Sequence, residues 1–117
     1  MRYYKKSDAD ARPLEAILTR ASGPIDLSAE GVQVKFYFST PDGSTVKGGA
    51  CTVTNGVGGV VQYPWESGDD GKVDGKLIEV WRCEFKIIYA STKVERVPND
   101  CYDELVFLDV IEPPVTP

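Results

Sequence analysis

The chain has no histidine at all, and that gap removes every Ser–His and Cys–His nucleophile pair. Cysteine is scarce too. Cys51, Cys83 and Cys101 lie far apart, without the closely spaced pairs that a structural zinc site needs. An odd number of cysteines with no export signal reads as reduced thiols filling small gaps in the core, and a Cys51–Cys83 disulfide is the lesser alternative. No apolar run approaches the ~20 residues of a membrane-spanning helix. The opening stretch, residues 1–13, has no apolar segment after its charges, so the expectation is synthesis in a cytoplasm without export by the secretory route.

Positive charge is in deficit. Thirteen Lys and Arg face eighteen Asp and Glu, a net charge of −5, and apart from Arg2, Lys5 and Lys6 the basic residues are scattered. A phosphate backbone attracts clustered cations, so nucleic acid is not an expected partner. What remains is an ordinary globular balance over 117 residues, 42% hydrophobic and 26% charged. That is one domain's worth of chain, long enough for a core without staples.

The dominant period is two. In residues 32–39, Val32, Val34, Phe36 and Phe38 alternate with Gln33, Lys35, Tyr37 and Ser39, the pattern of a strand with one wet face. In residues 81–89, Trp81, Cys83, Phe85, Ile87 and Tyr89 share a phase. Residues 105–111 form a β-rich apolar run, and Leu14, Ala16 and Leu18 mark a shorter strand over residues 13–20. Leu-Glu-Ala-Ile-Leu within that segment is also a good helix sequence, but it carries no supporting caps. Eleven glycines and eight prolines punctuate the chain. Asp42-Gly43 and Asn55-Gly56 are hairpin candidates, and Gly68-Asp-Asp-Gly71, Asp74-Gly75 and Pro98-Asn-Asp100 are further turns. Many short strands at this spacing predict an all-β sandwich of about seven or eight antiparallel strands. Its expected core is Val34, Phe36, Trp65, Trp81, Phe85, Ile87 and Val106.

The expected organisation is an N-terminal arm or added edge strand over residues 1–12, the sandwich over 13–111, and a tail over 112–117. Three prolines in the last six residues predict an extended polyproline-like tail. Chemistry is harder to find. No Gly-x-Ser-x-Gly elbow is present. Asn55-Gly-Val-Gly-Gly59 lacks the Gly-Lys-Ser/Thr ending of a phosphate loop. The acidic stretch Glu66–Gly75 places Asp69 and Asp70 side by side and Lys72 among them, so it reads as a solvated loop rather than a calcium site. No catalytic residue, cofactor or metal is expected. Aromatic side chains are the strongest interface anchors. Tyr37 falls on the polar phase of its strand, and nothing internal covers Tyr3 or Tyr4. These three, with Pro113, Pro114 and Val115 of the tail as an arm against a neighbour, are the candidate interface residues.

The order of several short motifs carries a resemblance. Gly23-Pro-Ile-Asp-Leu27 precedes the Val32–Phe38 strand. Gly49-Ala-Cys-Thr-Val53 and Gly59-Val-Val-Gln-Tyr-Pro-Trp65 follow, then the Gly-Asp segment, Glu84-Phe85, Val97-Pro98 and a closing apolar strand. This succession, over residues 13 to 111, resembles the N-terminal immunoglobulin-like domain of phage baseplate upper proteins. It departs from that family at Lys72–Glu79, which lengthens one step. The antibody-type pattern is only partly echoed, with Cys51 fourteen residues before Trp65 and Trp81 in the place, two before Cys83, where a corner tyrosine would sit. The resemblance implies an immunoglobulin-like sandwich and a phage virion structural protein, made in the host bacterial cytoplasm. Its partners would be other virion proteins of tail, baseplate, fibre or capsid, with neither nucleic acid nor membrane. A capsid decoration protein is the alternative. A carbohydrate-binding module, with Tyr37, Tyr63 or Trp65 stacking on sugar, ranks third.

Overall fold

Strict alternation gives a strand one dry face and one wet face, and the two clearest period-two runs become the two longest strands. Val34, Phe36 and Phe38 are buried in the first, and Trp81, Cys83, Phe85 and Ile87 in the second. The computed structural model describes residues 2–6, 12–66, 68–98 and 102–108. Among these there is no helix. The chain runs through β1 (Arg2–Lys6), β2 (Leu14–Ile17), β3 (Thr19–Arg20), β4 (Gly23–Pro24), β5 (Gln33–Ser39), β6 (Val46–Ala50) and β7 (Thr52–Asn55). It continues through β8 (Val60–Tyr63), β9 (Lys72–Val73), β10 (Lys76–Leu77), β11 (Val80–Ile88), β12 (Val94–Val97) and β13 (Asp103–Leu108).

The larger sheet has the order β1-β13-β11-β5-β6, with β12 also on β11, and the smaller is β2-β8-β7. Their inner faces meet in one apolar core. The smaller sheet supplies Ala16, Val61 and Tyr63, and the larger supplies Phe36, Phe38, Trp81, Phe85, Leu105 and Phe107. Leu18, Ile25 and Leu27 close it from the connection between them. The fold is an all-β sandwich. Residues 14–17 are a strand, not a helix, because Leu14 and Ala16 pair with Tyr63 and Val61 of β8 and turn their side chains into the core.

Three differences from the sequence reading have physical causes. The chain forms thirteen strand segments among the described residues rather than seven or eight, since long strands are interrupted and two short hairpins, β3–β4 and β9–β10, are added. One pair is parallel. Of the two readings open for the N-terminus, Arg2–Lys6 take the edge strand, lying parallel to β13 with Arg2 opposite Glu104 and Lys6 opposite Leu108. The closing run is out of phase by one residue. Leu105 and Phe107 are buried while Val106 faces outward, because a run that is apolar on both faces carries no alternation to set its phase. Trp65 is half-buried at the core's edge, with its ring 5.4 Å from that of Tyr63.

β12 and β13 are two halves of one return strand along β11. Phe85 faces Val97 and Cys83 faces Asp103, so both segments pair along the same edge of β11. The stretch Glu66–Gly75 is not simply solvated. Asp69 is only 6% exposed, and its Oδ2 accepts hydrogen bonds from the Tyr63 hydroxyl (2.7 Å) and the Glu66 amide (2.9 Å). Asp74 and Gly75, at φ 51° and 76°, make the two-residue turn of the β9–β10 hairpin.

Two turns carry predictions. In the β11–β12 hairpin the Tyr89 amide donates to the Lys93 carbonyl (2.9 Å) and the Thr92 amide to the Tyr89 carbonyl (2.8 Å). This three-residue loop puts Thr92 at φ 69°, a conformation glycine adopts without a Cβ penalty. The left-handed cost of ~1–2 kcal/mol exceeds the entropy glycine loses on folding. Thr92→Gly therefore stabilises the protein by about 0.5–1 kcal/mol, read from the urea midpoint at constant slope. In the β5–β6 turn, Asp42 Oδ1 accepts from the Thr40 hydroxyl (2.7 Å), the Ser44 amide (2.9 Å) and the Ser44 hydroxyl (2.8 Å). The Thr40 hydroxyl, then the Ser44 amide and hydroxyl, pull its carboxyl down to about 2. The folded value lies below that of an unfolded aspartate, so the turn's contribution is complete above the unfolded value and is lost as the pH falls through the folded one. A carboxyl NMR titration of Asp42 is expected to have its midpoint near 2; an ordinary aspartate midpoint would show that the turn's hydrogen bonds are not formed.

Candidate functional site

Register across the larger sheet fixes which side chains share its outer face, because residues directly opposite each other project to the same side. At one end Tyr4, Val106 and Val80 form a row. Next comes Arg2, Glu104, Arg82, Ser39 and Val46. The third row runs from Glu84 through Tyr37 to Gly48. Beyond it lie Arg96, Lys86, Lys35 and Ala50, and finally Val94, Ile88 and Gln33. Charged pairs knit the middle. Arg2 meets Glu104 at 3.1 Å and Arg96 meets Glu84 at 2.5 Å. The Arg82 guanidinium lies 4.8 Å from the centre of the Tyr102 ring, a cation–π contact that brings Tyr102 onto the same face.

Apolar exposure is concentrated here. Of the seven large apolar side chains left exposed among the described residues, five (Tyr4, Val46, Val80, Val94 and Tyr102) belong to this face. Tyr4 is 57% and Val46 62% exposed. Between Tyr37, Val46, Arg82, Glu84 and Tyr102 is a shallow cleft of about 250 Å³. Arg82 Nε is buried beneath it, and no acceptor among the described residues reaches it. An unmet buried donor costs about 1–3 kcal/mol, which an incoming carbonyl or carboxylate would recover.

The structure brings Tyr4 and Tyr37 to this common face. Tyr3 points the other way: it sits opposite Leu105, its ring packs edge-on to Phe85 at 6.2 Å, and burial pushes its phenol well above the usual range. Pro113, Pro114 and Val115 lie outside the described residues. Arg82, Tyr102, Val46 and Val80 were not among the sequence candidates. Val46 and Val80 carried a faint signal as apolar residues at the wet ends of strands, whereas Tyr102 is placed on this face only by its contact with Arg82.

Cys51 and Cys83 are free thiols. Burial pushes both up to about 12, which leaves little thiolate near neutral pH to attack or to ligate. Cys101 lies outside the described residues. Among those residues no group of three His, Cys, Asp or Glu is placed to hold a metal ion. Tyr63, a candidate for sugar stacking, is buried at 1% exposure with its hydroxyl bound to Asp69, so Tyr37, Tyr63 and Trp65 do not form a common exposed platform. No protein-family model and no curated protein matches the chain.

Proposed function

We propose that this chain is a non-enzymatic docking module of a phage virion, a tail, baseplate or fibre-attachment component that binds neighbouring proteins through the outer face of its larger sheet. The observation that carries the docking half is the gathering of Tyr4, Val46, Val80, Val94 and Tyr102 on one face. Exposed apolar and aromatic side chains set among charged pairs on one sheet face supply anchors for protein–protein contact. The virion half rests on the motif succession from Gly23 to the closing strand.

The strand order supports the immunoglobulin-like reading. β2-β8-β7 against β13-β11-β5-β6 corresponds to B-E-D against G-F-C-C′ of that sandwich. Trp81 also behaves as a corner residue at the start of β11, its indole N–H donating to the Ile78 carbonyl at 2.8 Å. Cys51, however, follows the strand in the C′ place, so it has no counterpart in the B–F disulfide of antibody domains.

Mass spectrometry of separated heads and tails from the parent particle is expected to find the chain in tails. Its presence in heads alone would transfer it to the capsid-decoration reading. In the same particles a Tyr4→Lys, Val80→Lys double variant should fold normally and be incorporated at least about tenfold less, since losing two apolar anchors at one end of the face removes ≥2 kcal/mol of docking energy. Unchanged incorporation would remove this face from the interface.

A further inference from the structure

A strand at the margin of a sheet offers unpaired N–H and C=O groups as a template for another chain. β12 is such a strand, since among the described residues it pairs with β11 only. Its outward groups can be counted. The hairpin closes on the bonded pair Tyr89–Lys93, and bonded and non-bonded pairs alternate along an antiparallel ladder. Ile87–Glu95 and Phe85–Val97 therefore bond to each other, while in Ile88–Val94 and Lys86–Arg96 the groups of Val94 and Arg96 turn away from β11. Pro98, which has no N–H, ends this edge. Four residues remain, about 14 Å of template.

Beside the edge runs a groove of about 1080 Å³, with β12 as one wall and Thr19–Ala21 as the other. The far wall is tied in place. Arg20 grips both carboxylate oxygens of Glu95, its Nε meeting Oε2 at 2.7 Å, and the Tyr89 hydroxyl donates to Glu95 Oε1 at 2.7 Å. Charge then selects the occupant. Arg20, Lys86, Lys93 and Arg96 line the groove against one lining carboxylate, Glu95, with Glu84 engaged by Arg96 alongside. Lys86 also stands directly between Lys35 and Arg96 in its cross-strand row. Like charges set opposite one another destabilise a sheet, and the concentration stands out on a chain of net charge −5. Such an edge repels basic strands, including the β12 of a second copy.

We infer that the outer edge of β12 is a strand-addition site for an acidic, extended segment of a partner protein. The segment bonds to Val94 and Arg96, lies between β12 and the β3–β4 hairpin, and sets carboxylates at alternate positions against Lys86, Lys93 and Arg96. This goes beyond the proposed function, because it rests on the backbone edge of β12 and its flanking cations rather than on Tyr4, Val46, Val80 or Tyr102, and needs no particular particle. It is tested on the isolated chain, so its failure leaves the virion experiments untouched.

The probe is an acetylated Glu-Thr-Glu-Val-Glu-Thr amide titrated into the full chain labelled with nitrogen-15, with its lysine-for-glutamate counterpart and inorganic polyphosphate as comparisons. Saturable binding of the acidic peptide is expected, with amide exchange at Val94 and Arg96 slowed at least about tenfold as those N–H groups become bonded. Val94→Pro removes an outward donor while Glu95 and Val97 keep their bonds to β11, and should weaken binding at least about tenfold. Lys93→Glu should weaken it about tenfold as well, and more at low salt. No binding, equal binding of the lysine peptide, or unchanged exchange at Val94 and Arg96 would overturn the proposal. So would polyphosphate that displaces the peptide while Val94→Pro binds normally, since that describes an anion surface and not an added strand. If Val94→Pro loses its β-type circular dichroism spectrum, the exchange measured on the unaltered chain decides.

Discussion

Trp81→Ala lowers the stability of the fold by about 3–5 kcal/mol, the range for deleting a large buried aromatic ring. The indole is completely buried and stands at the meeting point of both ends of the core, 5.5 Å from the Phe38 ring and 5.8 Å from that of Phe107. Lys47 Nζ lies 5.8 Å from its centre, and the indole N–H satisfies the Ile78 carbonyl. Alanine removes the ring, leaves a cavity between two phenylalanines that β-strands hold in place, and strips a carbonyl of its donor. Trp81→Phe keeps most of the packing and loses the hydrogen bond, so it should cost about 1–2 kcal/mol plus a small packing loss. Urea unfolding followed by circular dichroism separates the two. A loss below 1 kcal/mol for the alanine variant would mean that the core closes over the gap, contrary to its interlocked rings.

Gly48→Ala is expected to cost as much. Gly48 has φ +133°, and a Cβ built there would lie 2.0 Å from the Phe36 carbonyl oxygen and 2.9 Å from the Tyr37 Cα. Both contacts are backbone atoms of β5, so nothing flexible can yield; β6 must lift off its neighbour. A disfavoured backbone conformation adds about 1–3 kcal/mol and the steric clash a similar amount, together about 3–5 kcal/mol. Gly75→Ala isolates the first part. At φ +76° its Cβ would meet nothing within 4 Å, so only the left-handed penalty of about 1–2 kcal/mol applies. If the two variants lose equal stability, the close approach of β6 to β5 is not what Gly48 serves.

The parts of this fold that were legible in the sequence are those where one face of a strand is wet. In β5, and in β11 between Trp81 and Ile87, every second residue is polar, and burial follows the alternation along the whole of both strands. Asp42-Gly43, Asn55-Gly56 and Asp74-Gly75 mark turns by conformational need, and each lies between paired strands. Leu105-Val-Phe-Leu108 hid its phase because both alternating sets of positions carry apolar residues. Pro98 was readable as a turn. That the strands on either side of it, β12 and β13, both pair with β11 is a property of long-range pairing. The candidate surface divides along the same line. Tyr37 stands out as an aromatic on a polar phase, but Tyr3 and Tyr4 are adjacent in a polar segment, and only pairing to β13 turns one inward and the other out. The outer edge of β12 had no local signature, since being at an edge is a fact of topology.

The parallel pairing of β1 with β13 also has a mechanical consequence. Arg2 lies beside Glu104 and Lys6 beside Leu108, so tension applied at residue 2 and at residue 108 pulls the two strands in opposite directions along their length. The load then falls on all the hydrogen bonds between them at once instead of unzipping them in sequence. A sandwich joined this way resists stretching between its first and last strands far better than peeling at one corner. Such a property suits a part held from both ends within a larger assembly under strain.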